Sequence, residues 1–227
     1  MIKIHSYPYL IGTDLSLNAD DVEQLVRQFE QTPDGVPGPL DGRSSVLRTS
    51  LDAAGPVVVK YYQRGGLIRH VVRNAYLRSG CPRSHSEYLM LKKVKDLGVP
   101  CPEPLVWAIR GGLFYKAFLV TGEIMDQQPL TDYCAGHPDL CDRAVEKTAE
   151  NVAVLVKNRI HHVDLHPGNV LVDKEGGIHI IDFDKACMSS MKPARLMGAY
   201  IRRWKRAVKK HSLPDRMLTV FEQKLRS

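Results

Sequence analysis

The sequence His-Val-Asp-Leu-His-Pro-Gly-Asn occupies residues 162–169, and Ile-Ile-Asp-Phe-Asp occupies residues 180–184. Asp164 lies five residues before Asn169, and Asp182 lies thirteen residues after Asn169. This spacing is typical of a catalytic loop and a metal-binding loop that together place three oxygen-bearing side chains around one phosphate. The two stretches therefore predict that the protein transfers a phosphoryl group from a nucleotide.

This chemistry assigns a role to each of the three residues. Phosphoryl transfer needs a base that orients the attacking hydroxyl and a metal that neutralises the phosphates. Asp164 is the candidate base. Asn169 and Asp182 are candidate ligands of Mg²⁺, a hard cation that prefers carboxylate and amide oxygens. His162 is expected either to hold the loop by hydrogen bonds or to be partly exposed, and His166 is expected to shape the loop near the phosphate.

Candidate nucleotide-binding residues lie earlier in the chain. Lys60 follows a run of three valines and can project from a strand toward the phosphates. Glu87 lies on the next predicted helix, where it can pair with Lys60 and fix its rotamer. Either residue alone is more commonly a solvated surface residue. Lys60 and Glu87 are candidates for nucleotide binding because they precede the two loops in this order.

A phosphate-covering loop is expected shortly before Lys60. The sequence there is Gly42-Arg43-Ser44-Ser45, in which Ser44 and Ser45 can donate backbone or hydroxyl hydrogen bonds to phosphate. The stretch holds a single glycine, so a plain turn remains the alternative.

Apolar periodicity and turn residues predict an α+β fold. Helices are predicted over residues 18–31, 82–97 and 142–158, and a basic helix is predicted from residue 193 onward. Strands are predicted over residues 45–50, 56–62, 105–109, 114–120, 170–172 and 178–181. This order predicts two parts: an N-terminal extension with a β-rich lobe over residues 1–124, and a reduced helical lobe over residues 125–227.

The pattern resembles the protein-kinase-like superfamily, and within it the lipopolysaccharide kinase group, particularly its 3-deoxy-D-manno-octulosonic acid (Kdo) kinases. Tyr-Tyr-Gln-Arg-Gly-Gly-Leu at residues 61–67 directly follows the strand lysine. Leu-Gly-Val-Pro-Cys-Pro-Glu-Pro at residues 97–104 and Ile-Ile-Asp-Phe-Asp-Lys at residues 180–185 complete the resemblance. It covers roughly residues 40–210.

The resemblance implies a bilobal kinase fold that phosphorylates the Kdo sugar of a lipid A precursor, with ATP and Mg²⁺ as cofactors. The family suggests the 4-hydroxyl as acceptor and the cytoplasmic face of the bacterial inner membrane as location. Two alternatives are an aminoglycoside- or choline-type phosphotransferase and a lipopolysaccharide heptose kinase. Asp184 stands where protein kinases have glycine, and 45 residues follow Asp182. We therefore expect no protein substrate.

The composition favours a folded protein with an anionic partner. Of 227 residues, 44% are hydrophobic, and the formal net charge is +7. Such a charge attracts nucleotides, anionic lipids and nucleic acids alike. The basic stretches lack the interleaved aromatic residues that stacking on bases requires, so no nucleic-acid partner is expected.

The basic tail suggests a membrane surface as partner. Residues 200–210 combine a dense cationic face with Ile201, Trp204 and Val208 at helical spacing. Such a helix can lie on anionic lipid. The alternative is that its apolar residues pack on the helical lobe while the charges are solvated. We expect peripheral binding to the membrane through the basic segments. The arginines of residues 64–83 are equally suited to the anionic sugar carboxylate and to lipid phosphates.

Two further expectations concern the chain's environment. The five cysteines lack zinc-knuckle spacing, which predicts free thiols in a reducing cytosol; they are Cys81, Cys101, Cys134, Cys141 and Cys187. The N-terminus lacks the apolar run of a signal peptide, and no stretch has the length of apolar sequence that a transmembrane helix needs.

Overall fold

The structure is a computed structural model that describes residues 1–31, 45–62, 76–77 and 80–227. The chain divides into two compact units, Met1–Lys92 with Glu103–Glu123, and Lys93–Pro102 with Ile124–Ser227. The candidate phosphate-loop residues Gly42 and Ser44 lie outside the described residues, as does the Arg-Gly-Gly-Leu stretch. Ser45 is described only as the first backbone position of a strand. The domain boundaries predicted from the sequence remain a prediction.

Within its described residues, the first unit is built on an antiparallel sheet of seven strands. They are β1 (Ile2–Ser6), β2 (Tyr9–Thr13), β3 (Ser45–Leu51), β4 (Gly55–Tyr61), β5 (Tyr76–Leu77), β6 (Pro104–Gly111) and β7 (Phe114–Gly122). Their spatial order is β1-β2-β6-β7-β4-β3, and β5 also pairs with β7. The sheet thus brings β4, which carries Lys60, between β3 and β7.

Alternation along β4 separates the core from the candidate site. Val57, Val59 and Tyr61 are buried in one hydrophobic cluster. Side chains alternate between the two faces of a strand, so Lys60 points to the opposite face. Helix α1 (Ala19–Glu30) covers the apolar face through Leu25 and Phe29. Its capping box at Asn18 agrees with the helix start predicted from the sequence.

The second unit is mainly helical. Helix α2 (Arg83–Asp96) begins in the first unit and ends in the second. It is followed by α3 (Leu130–Gly136), α4 (Pro138–Lys157), α5 (Pro193–Lys210) and α6 (Asp215–Arg226). Short strands lie between them: β8 (Gln128–Pro129), β9 (Ile160–His161), β10 (Val170–Val172), β11 (Ile178–Ile180) and β12 (Cys187–Met188). The β10–β11 hairpin and the β9–β12 pair frame the two loops singled out in the sequence.

The apolar residues of α5 form part of the core. Ile201, Trp204 and Val208 are buried, and the Trp204 ring stacks on Phe221 of α6 at 4.2 Å. The Trp204 indole N–H also donates to the carbonyl of Met217 at 3.2 Å. Packing on the helical unit is therefore the correct alternative for these residues, and insertion of their side chains into lipid is wrong. Within the described part of the chain, no helix is both long and apolar enough to cross a membrane.

One expectation about the cysteines is wrong. Cys134 of α3 and Cys141 of α4 form a disulfide, whereas Cys81, Cys101 and Cys187 form none among the described residues. The two helices are separated only by His137, so the chain reverses within one turn and brings the two thiols together.

The predicted α+β fold class is confirmed by a sheet-based first unit and a helical second unit. The predicted strands and helices are present, with ends shifted by a few residues. The β1–β2 hairpin and helix α3 were not predicted, and the basic tail forms two helices.

Candidate active site

Lys60 and Glu87 form an ion pair in the first unit. The Lys60 ammonium lies 3.0 Å from both carboxylate oxygens of Glu87. The Glu87 side chain is only 2% exposed and that of Lys60 is 16% exposed. A buried carboxylate needs a partner to offset the loss of its hydration, and the lysine supplies the opposite charge. The pairing expected from the sequence is therefore present in the structure.

Two further side chains surround this pair. The Tyr62 hydroxyl donates a hydrogen bond to Glu87, and the Lys60 ammonium lies 5.1 Å from the centre of the Tyr62 ring. The Arg83 guanidinium lies 5.7 Å from the centre of the same ring and donates to the Tyr76 hydroxyl at 2.9 Å. These contacts hold the first turn of α2 close to the end of β4 and fix the position of the Lys60 ammonium.

The catalytic loop of the second unit is anchored by His162. This residue is buried, and its Nε2–H donates to the carbonyl of Ile181 at 2.9 Å. Its backbone N–H donates to the Tyr200 hydroxyl at 2.8 Å, and that hydroxyl donates to the carbonyl of Ile160. Burial lowers the pKa of His162, which keeps its ring neutral. Of the two expectations for His162, the loop-holding role is confirmed.

His166 shapes the turn that follows. Its Nδ1 accepts a hydrogen bond from the backbone N–H of Gly168 at 3.1 Å and so caps the short 3-10 turn over Pro167–Asn169. The Asn169 amide nitrogen donates to the carbonyl of Asp164 at 3.2 Å, which leaves the amide oxygen pointing away from that contact. Burial, with nearby cations such as Arg203, lowers the pKa of His166 to about 4.

Asp164 is flanked by two cations. The Lys185 ammonium donates to its Oδ2 at 2.7 Å, and Arg203 Nε lies 4.0 Å from its Oδ1. Burial acts to raise the pKa of Asp164, but the hydrogen bond and charge of Lys185 and the charge of Arg203 outweigh it and lower that pKa. With its side chain 37% exposed, Asp164 is an ionised, solvent-accessible carboxylate at neutral pH.

The candidate metal-binding loop is joined directly to the candidate catalytic loop. The Ile181 backbone N–H donates to the carbonyl of Asn169 at 3.0 Å, so Asp182 follows immediately after the contact. Phe183 is fully buried and its ring packs edge-on against His162 at 4.6 Å. Asp182 itself has φ of +64°. A positive φ is costly for a residue with a Cβ and is found where surrounding structure imposes it, commonly at functional sites.

These residues have the chemistry of a Mg²⁺ site completed by substrate. Asp182 offers a carboxylate and Asn169 an amide oxygen, both suited to a hard cation. Within the described residues, no group of three or more His, Cys, Asp or Glu side chains could enclose a metal alone. The pair Asp182 and Asn169 fits Mg²⁺, which is usually held by one or two protein side chains together with phosphate oxygens and water.

The structure thus brings Asp164, Asn169 and the Asp182 backbone together in one unit and pairs Lys60 with Glu87 in the other. It does not describe Gly42 or Ser44, or the side chain of Ser45. Sequence reasoning missed two residues next to the candidate base, Lys185 and Arg203. Lys185 lies in the Ile-Ile-Asp-Phe-Asp-Lys motif, whereas Arg203 is one of several cations on α5 and carries no local signal.

Comparison with known proteins identifies the family. Residues 27–223 match the model of the Lipopolysaccharide kinase (Kdo/WaaP) family. A protein named 3-deoxy-D-manno-octulosonic acid kinase from Vibrio vulnificus strain YJ016 is 33% identical over 161 residues, 70% of this chain and 67% of that protein. Its namesake from Vibrio cholerae is 28% identical over 175 residues, 76% and 74% of the two chains. The chain therefore belongs to the lipopolysaccharide kinase (Kdo/WaaP) family, which confirms the kinase predicted from its catalytic loop.

Proposed function

We propose that the protein transfers the γ-phosphoryl group of ATP to the Kdo sugar of Kdo-lipid A, at its 4-hydroxyl, in lipopolysaccharide inner-core biosynthesis. The observation that carries this proposal is Asp164, an ionised carboxylate beside two cations in a loop tied directly to the candidate metal-binding loop. The family match and the names of the related proteins supply the acceptor.

Asp164 acts as the base in this scheme. The acceptor hydroxyl oxygen attacks the γ-phosphorus, a new P–O bond forms, and the bond from that phosphorus to the β–γ bridging oxygen breaks to release ADP. The hydroxyl proton passes to the Asp164 carboxylate. The lowered pKa of Asp164 keeps this carboxylate ionised and ready to accept a hydrogen bond from the acceptor at neutral pH.

Lys60 binds the nucleotide phosphates. Its ammonium is positioned by Glu87, whose burial leaves it little freedom to move away. Gly42, Ser44 and Ser45 precede Lys60 in sequence and are proposed to cover the phosphates through backbone and hydroxyl donors. Asn169 and Asp182 hold Mg²⁺, and the ion neutralises charge on the phosphates when it is bound.

A small-molecule kinase of the aminoglycoside or choline type, or a heptose kinase, is the alternative. Kinases of the aminoglycoside and choline types share this kind of catalytic loop but phosphorylate a different acceptor. Among the related proteins, those from Vibrio and from Xanthomonas campestris carry the Kdo kinase name, which favours a Kdo acceptor over a heptose.

The protein is proposed to work at the cytoplasmic face of the inner membrane. Arg202, Lys205, Arg206 and Lys209 of α5 are exposed and follow the i, i+3, i+4, i+7 spacing of one helix face. We call these four residues the basic stripe. Each cation close to an anionic bilayer contributes about 1 kcal/mol of attraction. The apolar residues of α5 are buried, so binding would rest on charge alone.

Replacement of the base tests the reaction. Asp164→Ala is expected to lower kcat with ATP, Mg²⁺ and Kdo-lipid A by about 10²- to 10⁴-fold, the usual contribution of a general base. Circular dichroism should show an unchanged fold, and the exposed turn variant Glu175→Ala should retain activity. Absence of phosphate transfer by the wild type to Kdo-lipid A, with transfer to an aminoglycoside, choline or a heptose acceptor, would refute the assignment.

The metal ligands are tested by a magnesium titration. Asp182→Asn exchanges a carboxylate for a neutral amide and should raise the Mg²⁺ concentration for half-maximal activity by about tenfold or more. Asn169→Ala should act in the same direction. Glu175→Gln makes the same kind of change on an exposed turn and should leave the Mg²⁺ concentration for half-maximal activity unchanged. If Asp182→Asn and Asn169→Ala both reach half-maximal activity at the wild-type Mg²⁺ concentration, these two residues do not bind the metal.

The influence of Lys185 on Asp164 is tested by a pH profile. Because Lys185 lowers the pKa of Asp164, Lys185→Met should raise that pKa, and protonation of the base would begin at higher pH. The acidic limb of the kcat/KM profile should therefore move to higher pH. The exposed helix variant Lys157→Met is the control. An acidic limb unmoved in Lys185→Met would contradict this electrostatic role.

Sedimentation with liposomes tests the basic stripe. The wild type should sediment with vesicles containing phosphatidylglycerol, and not with pure phosphatidylcholine, and binding should weaken as salt is added. The variant Lys205→Glu/Arg206→Glu/Lys209→Glu should bind at least about 100-fold less tightly. Equal loss in a control with the same charge change outside α5, Lys3→Glu/Lys93→Glu/Lys116→Glu, would show that net charge and not the stripe is responsible.

A further inference from the structure

Of the two cations beside Asp164, Arg203 is the one that does not hydrogen-bond to it. Lys185 already donates to Asp164 Oδ2 at 2.7 Å, whereas Arg203 Nε stands 4.0 Å from Oδ1, beyond hydrogen-bond range. Among the described residues, the Arg203 guanidinium forms this ion contact and no hydrogen bond. Its five N–H donors and their planar fork therefore remain available to an anion.

The surroundings of Arg203 favour an anionic ligand. Its side chain is 27% exposed, against 58% for Lys185, so it is partly removed from water. A partly buried charge is costly unless an opposite charge or a hydrogen-bond acceptor compensates it. His166 beside it is neutral at physiological pH because of its lowered pKa. Asp164 is flanked by two cations, and Asp182 is a second carboxylate whose charge acts on Asp164.

The position of Arg203 is fixed by the helix that carries it. Tyr200 lies one turn earlier on the same face of α5 and contacts the catalytic loop through the His162 N–H and the Ile160 carbonyl. Trp204, the next residue, is buried against α6. Arg203 is therefore held on a rigid helix, on the face that meets the catalytic loop.

We infer that Arg203 binds the carboxylate of the acceptor sugar and so helps to select an acidic sugar over a neutral one. This inference rests on the proposed function, in which the acceptor hydroxyl binds at Asp164. Kdo is an ulosonic acid: its carboxylate sits on C2 and its proposed acceptor hydroxyl on C4, separated by one ring carbon. Asp164 and Arg203 are likewise neighbours, and an arginine fork matches the two oxygens of a carboxylate.

The inference is tested by pairing a protein variant with a changed acceptor. Wild type and Arg203→Gln are assayed with Kdo-lipid A and with its Kdo carboxamide derivative, in detergent, with saturating ATP and Mg²⁺. With the natural acceptor, Arg203→Gln should lower kcat/KM by about 10- to 100-fold, mainly through a higher acceptor KM. With the carboxamide, the same substitution should lower kcat/KM by less than about threefold, because this acceptor has no carboxylate for Arg203 to bind.

Controls separate this role from a structural one. Arg203→Lys keeps the charge but loses the fork, so it should retain part of the preference for the acid, and the KM for ATP should be unchanged in all variants. The exposed arginine variant Arg143→Gln should match the wild type on both acceptors. An equal loss on both acceptors, or a higher KM for ATP, would assign Arg203 to the phosphoryl group or to folding and would overturn the inference.

The same experiment keeps the two proposals apart. If the wild type phosphorylates Kdo-lipid A and Arg203→Gln is indifferent to the acceptor carboxylate, the inference about Arg203 fails while the proposed function stands. If the wild type phosphorylates neither acceptor, the proposed function fails and this inference fails with it.

Discussion

The hydrogen bond from buried His162 to the carbonyl of Ile181 is the contact on which the candidate site depends. It joins the residue two positions before Asp164 to the residue directly before Asp182, so one side chain holds the candidate base and the candidate metal ligand in register. In a buried setting such a bond is costly to lose, because the carbonyl would be left unsatisfied. The Ile181 N–H to Asn169 carbonyl bond adds a second tie between the same loops. Phe183 then closes the apolar side of the junction.

A comparable arrangement operates in the first unit, where burial and charge are balanced around Glu87. A carboxylate that is 2% exposed would be destabilising without compensation, and Lys60 and Tyr62 supply a charge and a hydroxyl donor. Breaking a buried pair by removing one partner leaves an uncompensated charge, which costs more than the pair itself contributes. The pair therefore acts mainly as a positioning device: it sets where the lysine ammonium lies at the end of β4.

Features that depend on residue spacing within a short stretch of chain could be predicted from the sequence, whereas features that depend on tertiary contacts could not. The candidate catalytic and metal-binding loops were predicted because their residues lie within a short stretch of chain, and the valines of β4 marked their strand directly. The β1–β2 hairpin was missed because it has no run of β-branched residues, and it joins the sheet by pairing β2 with the distant β6. The Cys134–Cys141 disulfide depends on how two helices meet. In the sequence, Arg203 cannot be distinguished from the other cations of α5, because its position beside Asp164 depends on how the helix packs.

Helical geometry gives α5 two faces with different surroundings. With 3.6 residues per turn, Tyr200, Arg203, Trp204 and Ala207 share one face, which meets the catalytic loop and the core. The basic stripe lies on the opposite face. If that stripe rests on anionic lipid, Asp164 stands on the far side of the helix, about 10–12 Å from the surface. At that height the base would meet a sugar that projects from the bilayer rather than a phosphate in the headgroup plane. The helix would then set both the distance to the membrane and, through Arg203, the charge of the group it accepts.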